Sequence, residues 1–189
     1  ASETPLRILM VASEAQPFSK TGGLADVSSA LSRALGRLGH DVTLFTPRYR
    51  GVQPGYHRGH VRAYVADQWY EAALQEVRLG PGARAMLVDC PTLYDRAGIY
   101  SEQRWDYLDN AARFAFLAIA AVEWASSQPQ RPDVIHGHDW QAGLLPVYAR
   151  HTPSVFTIHN IAYQGIVDKS WVPTLGLRWE DFNVNDFQF

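Results

Sequence analysis

Three short stretches hold residue types that could do chemistry. "SKTGGLADV", Ser19 to Val27, places Lys20 and the pair Gly22 and Gly23 just ahead of a helix-patterned run. Paired glycines let a backbone take φ > 0 and let a ligand approach main-chain N–H groups. A helix N-terminus adds unpaired donors and partial positive charge, which suits a phosphate, and Lys20 adds a full charge. A tight turn with a solvated lysine would read the same way. The stretch is neither GxxxxGK(S/T) nor GxGxxG, so a phosphate here would be held by a third geometry. "HGHDW", His136 to Trp140, sets two imidazoles on one face of a strand with Asp139 after them. These are metal-ligand types, and His159 could complete the set. Equally, Asp139 could N-cap a following helix or hold sugar hydroxyls at a cleft edge. "TIHNIAYQG", Thr157 to Gly165, brings His159 and Asn160 to another strand end. The loop "CPTLYDRAGIYSEQRWDY", Cys90 to Tyr107, carries aromatic rings with polar edges. These suit a sugar face or a nucleobase, or a folded lid packed on the domain.

Positioning these residues requires strands that end together. "LRILMVA", Leu6 to Ala12, reads as a buried parallel strand. Leu24, Val27, Leu31, Ala34, Leu35 and Leu38 recur at three- and four-residue steps, which predicts a helix with that face inward and Gly39 as C-cap. "DVTLFTP", Asp41 to Pro47, completes a βαβ unit. The stretch from His60 to Cys90 predicts two or three strands with a hairpin near Gly80. Asp106 to Ser127 reads as a helix apolar nearly all round, Asp133 to Asp139 as a strand, Trp140 to Arg150 as a helix and Ser154 to Asn160 as a strand. After Gly165 the rhythm decays, and "DKSWVPTLGLRWEDFNVNDFQF" predicts no closing element. The fold class is α/β: a Rossmann-like, doubly wound, mainly parallel sheet with a β-hairpin insert. Ligands of such sheets bind outside the carboxyl ends of the strands, where the three stretches lie.

Composition narrows the function. The chain is 47% hydrophobic with formal net charge -2, which allows a sizeable core and leaves no basic footprint for nucleic acid. Lone Cys90 cannot form an internal disulfide and reads as a small core residue. No signal peptide opens the sequence and no apolar run reaches the roughly 18 residues of a membrane span. The expectation is a soluble, cytoplasmic protein with no membrane or nucleic-acid partner.

Five segments together resemble the bacterial glycogen synthases and plant starch synthases: "MVASEAQPFSKTGGLADV", "PRYRG", "LYDRAGIY", "GHDWQAGLLPVYAR" and "FTIHNIAYQG". The resemblance spans Met10 to Gly165. It implies the N-terminal half of a GT-B fold and transfer of glucose from a nucleotide sugar, usually ADP-glucose, to the non-reducing end of an α-1,4-glucan, with retention. It implies that Lys20, Gly22, Gly23 and Asp26 surround the donor's diphosphate and glucose. Asp139 would be the donor- and acceptor-side carboxylate, and His159 would meet the transferred hexose beside Asn160. Glu14, Tyr94 and Trp140 match positions lining the acceptor groove. No metal and no cofactor are implied.

The same resemblance implies that residues 1–189 form an incomplete N-terminal domain. The C-terminal nucleotide-binding domain would then be the partner, and this chain alone would not turn over. Two other readings remain open on the residues themselves. One is a glucan-binding or regulatory domain without chemistry; the other is a metal-dependent hydrolase built on His136, His138 and Asp139.

Overall fold

The computed structural model describes residues 4–183. Five strands run parallel at the centre: β1 (Arg7–Val11), β2 (Asp41–Pro47), β5 (Ala83–Asp89), β8 (Val134–His138) and β9 (Ser154–Thr157). β3 (Tyr56–Val65) and β4 (Gln68–Gly80) add to one side antiparallel, giving the order β3-β4-β5-β2-β1-β8-β9. The sheet is therefore mixed, with the expected Rossmann-like parallel core. After β5 come a one-turn helix, α2 (Pro91–Tyr94), and a separate small ribbon of β6 (Ser101–Glu102) and β7 (Trp105–Asp106). The hairpin near Gly80 joins β4 to β5, and Gly82 takes φ 66° in its turn. A second hairpin turns at Ala66 and Asp67, both at positive φ. Alanine is a poor marker for such a turn, so it left no sequence signal.

Two helices sandwich the sheet. On β1, Leu9 and Val11 face one core with α3 (Asn110–Ser127), while Ile8 and Met10 face the other with α1 (Leu24–Arg37). Strands covered on both faces must be apolar nearly throughout, and β2 is buried from Val42 to Pro47, leaving only Asp41 exposed.

The inward face expected for α1 is corrected in part: Leu24 is buried and Leu31 and Leu35 pack against the core, but two of its positions lie open. Val27 is 42% exposed and Leu38 74%. The buried face is Leu24, Ala25, Ser28, Ser29, Ser32 and Gly36, mostly small residues. The reason is close approach. A Cβ on Gly36 would lie 2.2 Å from the carbonyl oxygen of Pro81. Serines satisfy their hydroxyls internally: Ser28 and Ser32 donate to the carbonyls of Glu14 and Ser28. Gly39 follows the helix at φ 99°, as a terminating glycine does.

The helix expected over Trp140–Arg150 is also corrected. A 3-10 turn (Trp140–Ala142) is followed by α4 (Leu145–Tyr148). Pro146 has no N–H to give the preceding turn, so a continuous helix cannot run through it. Beyond Gly165 only a short helix, α5 (Trp171–Thr174), and a 3-10 turn at Trp179–Asp181 interrupt the coil. Residues 184–189 of that tail lie outside the described residues. Among the described residues no helix is long and apolar enough to cross a membrane.

β1 lies between β2, reached through α1, and β8, reached after α3. The connections diverge there, and in open α/β sheets ligands bind outside the carboxyl ends of the strands at such a point.

Candidate active site

Two clusters occupy that edge. Val11 pairs with Gly137, so the loops after β1 and β8 leave from neighbouring strand ends.

The first cluster is built around Glu14, which is 3% exposed. Its carboxylate accepts from the backbone N–H of Thr21 (Oε2), from the Thr21 hydroxyl at 2.7 Å and from the Tyr100 hydroxyl at 2.6 Å. The Ser13 hydroxyl lies 2.6 Å from that of Tyr100. Burial, together with the charge of Glu14, raises the Tyr100 phenol well above its ordinary range and keeps it a donor. Glu14 thus shapes the loop that leads to the glycine pair.

Gly22 and Gly23 are exposed, and a Cβ built on either meets nothing within 4 Å. Neither takes positive φ; Gly23 is at φ -70°. The conformational argument made from the sequence is therefore corrected: these glycines supply open space. α1 has no side-chain cap, so its first N–H groups remain unpaired. Lys20 Nζ donates to both oxygens of Asp26, at 2.7 and 3.0 Å, on an exposed surface. Lys20, Gly22, Gly23 and Asp26 are thus together around an exposed ion pair at an uncapped helix start.

The second cluster lies at the ends of β8 and β9. Asp139 has φ 57° and ψ 179°, a region almost reserved for glycine and costly for other residues by about 1–3 kcal/mol. Its side chain does not cap the following turn. Instead Oδ1 accepts from the backbone N–H of His159 at 2.7 Å and of Asn160 at 3.4 Å. The carboxylate ties one strand end to the next, which corrects the capping alternative. Asn160 is exposed, and its side-chain oxygen accepts from the N–H of Ala162.

Next to Asp139 three imidazoles gather, His136 stacked on His138 and His138 joined edge to edge with His159. His136 and His138 have centroids 4.1 Å apart, and His138 and His159 lie 5.3 Å apart with planes 18° from parallel. His136 Nε2 meets the Thr157 hydroxyl at 2.7 Å, and His138 Nδ1 meets His159 Nε2 at 3.0 Å. Burial first, then the neighbouring His136 and His159, push His138 down from 6.5 to about 3. Burial also lowers His136. His136 turns Nε2 to Thr157 and His138 turns Nδ1 to His159, so these nitrogens do not aim at one shared point. Among the described residues no three His, Cys, Asp or Glu side chains form a metal-holding group.

Trp140 packs edge-on against Phe114, 5.4 Å away, and Gly165 at φ 65° lies against its indole. A cavity of about 790 Å³ opens here, lined by Asp139, Trp140, Phe156, Ile158, Tyr163 and Gln164 among others. Lys20, Glu14, the glycine pair, His159 and Asn160 are not among its walls. Tyr94 is fully buried and donates to the Arg113 carbonyl at 2.7 Å, so it presents no ring face to a ligand.

Sequence reasoning missed three residues that hold the site. Thr21 and Tyr100 complete the coordination of Glu14. Arg113, fully buried in α3, donates to the carbonyls of Leu93 and Ile99 at 2.7 and 2.8 Å and to Asn110 at 2.7 Å. It clamps the loop from Cys90 to Tyr107 onto the domain, as a packed lid. One signal was present: a single cation inside an otherwise apolar helix needs internal acceptors.

A Rossmann-like domain with polar strand ends gathered at its switch point is the class these features define. Residues 7–189 match the family model "Starch synthase catalytic domain", and the chain belongs to that family. It is 41% identical to a glycogen synthase of Anaeromyxobacter dehalogenans (strain 2CP-C) over 202 aligned residues, covering 97% of this chain and 41% of that protein. A glycogen synthase of Koribacter versatilis (strain Ellin345) is 39% identical, with 97% and 40% covered. Among solved structures, the catalytic domain of starch synthase IV from Arabidopsis thaliana bound to ADP and acarbose superposes with TM-score 0.82 at 28% identity, covering 97% of this chain and 40% of that one. The chain spans about two fifths of the length of these relatives.

Proposed function

We propose that this chain is the acceptor-side half of a retaining glucosyltransferase. The longer protein would transfer glucose from ADP-glucose to the non-reducing end of an α-1,4-glucan. The relatives' names and the ADP and acarbose in the starch synthase IV structure support the substrate classes. One geometric observation carries the reading: Asp139 is held in a strained backbone conformation with its carboxylate joined to the His159 strand end. Strain of this kind persists where surrounding structure over-determines it, typically at a working site.

In the reaction, the bond from the glucose anomeric carbon to the diphosphate oxygen breaks. The acceptor hydroxyl oxygen attacks from the same face, and its proton leaves on the departing phosphate. Lys20 would exchange Asp26 for the diphosphate, and the open glycine pair would let main-chain N–H groups reach the same oxygens. Both stabilise charge that develops as the bond breaks. Asp139 and His159 would orient the hexose, with Asn160 and Trp140 beside them. Glu14 would act by shaping the glycine loop. A second domain, supplied by the rest of a relative-length protein, would hold the nucleotide base.

The test is transfer by the longer protein, with ADP-glucose and UDP-glucose compared. Asp139→Ala should lower kcat roughly 10²–10³-fold, and Lys20→Ala should raise the donor KM. Wild-type rates in both variants would sink the proposal. The 189-residue chain alone should bind ADP-glucose weakly and show no transfer. A soluble protein in the bacterial cytoplasm is the setting this reading implies.

A further inference from the structure

We infer that His138 is a positioning residue: its buried imidazole, 3.0 Å from His159, sets the tautomer of His159 so that His159 carries its proton on Nδ1. His138 has no exposed surface, and its Nε2 is buried without a hydrogen-bond partner among the described residues. Its Nδ1 meets His159 Nε2, so one of these two nitrogens carries the proton between them.

The surroundings decide which. Burial pushes His138 far below the range in which it would be doubly protonated, so it holds one proton. If that proton sat on Nε2, a buried N–H would have no acceptor. Orphaned buried N–H groups are rarer than bare acceptors. The proton therefore sits on Nδ1 and is donated to His159 Nε2. At a pH where His159 holds a single proton, that proton must then sit on its Nδ1.

Neighbouring contacts hold the donor ring still. His136 stacks on His138 at 4.1 Å and is itself tied to the Thr157 hydroxyl. Asp139, next in sequence, anchors the backbone N–H of His159. One strand end thus fixes both the main chain and the ring protonation of the other. His159 then offers a donor at Nδ1. A donor there can bond a hydroxyl oxygen of a hexose, whereas a lone pair there would demand the hydroxyl's proton instead. The consequence for transfer rests on the glucosyltransferase reading; the tautomer does not.

The test is nitrogen-detected NMR of the 189-residue chain with ¹⁵N-labelled histidine, above neutral pH. The nitrogen shifts separate protonated from bare ring nitrogens. The expected result is His159 protonated at Nδ1, with a scalar coupling across the hydrogen bond between His138 Nδ1 and His159 Nε2. A His159 protonated at Nε2, an even mixture, or no coupling would overturn the inference. In His138→Phe, which keeps a flat buried ring and removes the donor, His159 should shift toward the Nε2–H form. An unchanged tautomer would show that something else sets it. In the longer protein the same substitution should lower kcat roughly 10-fold, the scale of removing a group that orients a working histidine, with donor KM nearly unchanged. Unchanged kcat would remove the positioning role. Absence of transfer by the wild-type longer protein would instead sink the glucosyltransferase reading, while the tautomer result stands.

Discussion

At the carboxyl edge of the sheet, the loop after β1 and the ends of β8 and β9 place polar groups by opposite means. After β1 the charges of Lys20 and Asp26 stand in solvent and hold each other in an ion pair. After β8 the polar groups are buried or half-buried: a stacked pair of imidazoles hydrogen-bonded to a third, with a carboxylate that accepts from two backbone N–H groups. The difference follows from what each can do. An exposed ion pair is worth little and exchanges readily, so it can release a lysine to an incoming anion. A buried hydrogen-bonded stack exchanges nothing and serves to hold geometry. Only Glu14, buried beneath the exposed loop, gives the first cluster a comparable anchor.

Removing that anchor should have the largest effect on stability. Glu14→Ala leaves the N–H and hydroxyl of Thr21 and the hydroxyl of Tyr100 without their acceptor. The expected loss is about 3 kcal/mol, since each stranded group costs on the order of 1–3 kcal/mol and Thr21 can turn partly to water. Urea unfolding should show a lower midpoint at unchanged slope. A shift indistinguishable from zero would mean that the glycine loop is not held from below.

The buried imidazoles make the second cluster sensitive to acid. His138 is ordinarily half-protonated at 6.5 but is pushed to about 3 in the fold. Between those values the unfolded chain binds a proton that the folded chain does not, so stability falls as pH drops through the window. Near pH 4.5 this ring alone should cost about 2–3 kcal/mol relative to neutral pH. His138→Phe should flatten the dependence by that amount. Parallel curves for the two proteins would show that the stack opens freely to water.

The contrast between the clusters also marks what the sequence made legible. β1 and β2 could be read because a strand buried on both faces is an apolar run, and β8 because the strand–helix rhythm resumes after the loop "QPQRP"; the shared face of His136 and His138 follows from that strand. His159 and Asp139 could be placed at strand ends for the same reason. The face of α1 was only partly legible because three serines and a glycine, which hydropathy scores as polar or neutral, share its buried side with Leu24 and Ala25. Tight packing against the sheet, visible in the clash awaiting any side chain at Gly36, selected for size over hydrophobicity. Glu14 was legible as a site residue by resemblance but not as the support of a loop. Tyr100 lies 86 residues away along the chain, and no local pattern reports such a contact. The joining of Asp139 to the His159 N–H was hidden for the same reason.

Strain separates the roles of Asp139. Both Asp139→Ala and Asp139→Gly lose the acceptor for the N–H of His159, but only glycine relaxes at φ 57° and ψ 179°. The glycine variant should therefore be more stable than the alanine variant by about 1–2 kcal/mol. In the longer protein both should be equally poor in transfer. Thermal unfolding of the pair checks the first point. Equal stabilities would mean that the chain around Asp139 relaxes once the carboxylate is gone, and that the side chain imposes the backbone conformation.

Lys20→Ala should change stability least, by under about 1 kcal/mol, because the pair it breaks is exposed and screened. Asp26, left behind, still lies in the first turn of α1, where a negative charge favours the helix dipole. The same substitution should markedly weaken donor use in the longer protein. Asp26→Asn sharpens the point. It frees Lys20 without removing it, so donor affinity should rise or hold while stability changes as little. If Asp26→Asn instead weakened the donor as much as Lys20→Ala, the ion pair would be part of the bound state. Exchange of Lys20 between carboxylate and diphosphate would then be the wrong account of the exposed cluster.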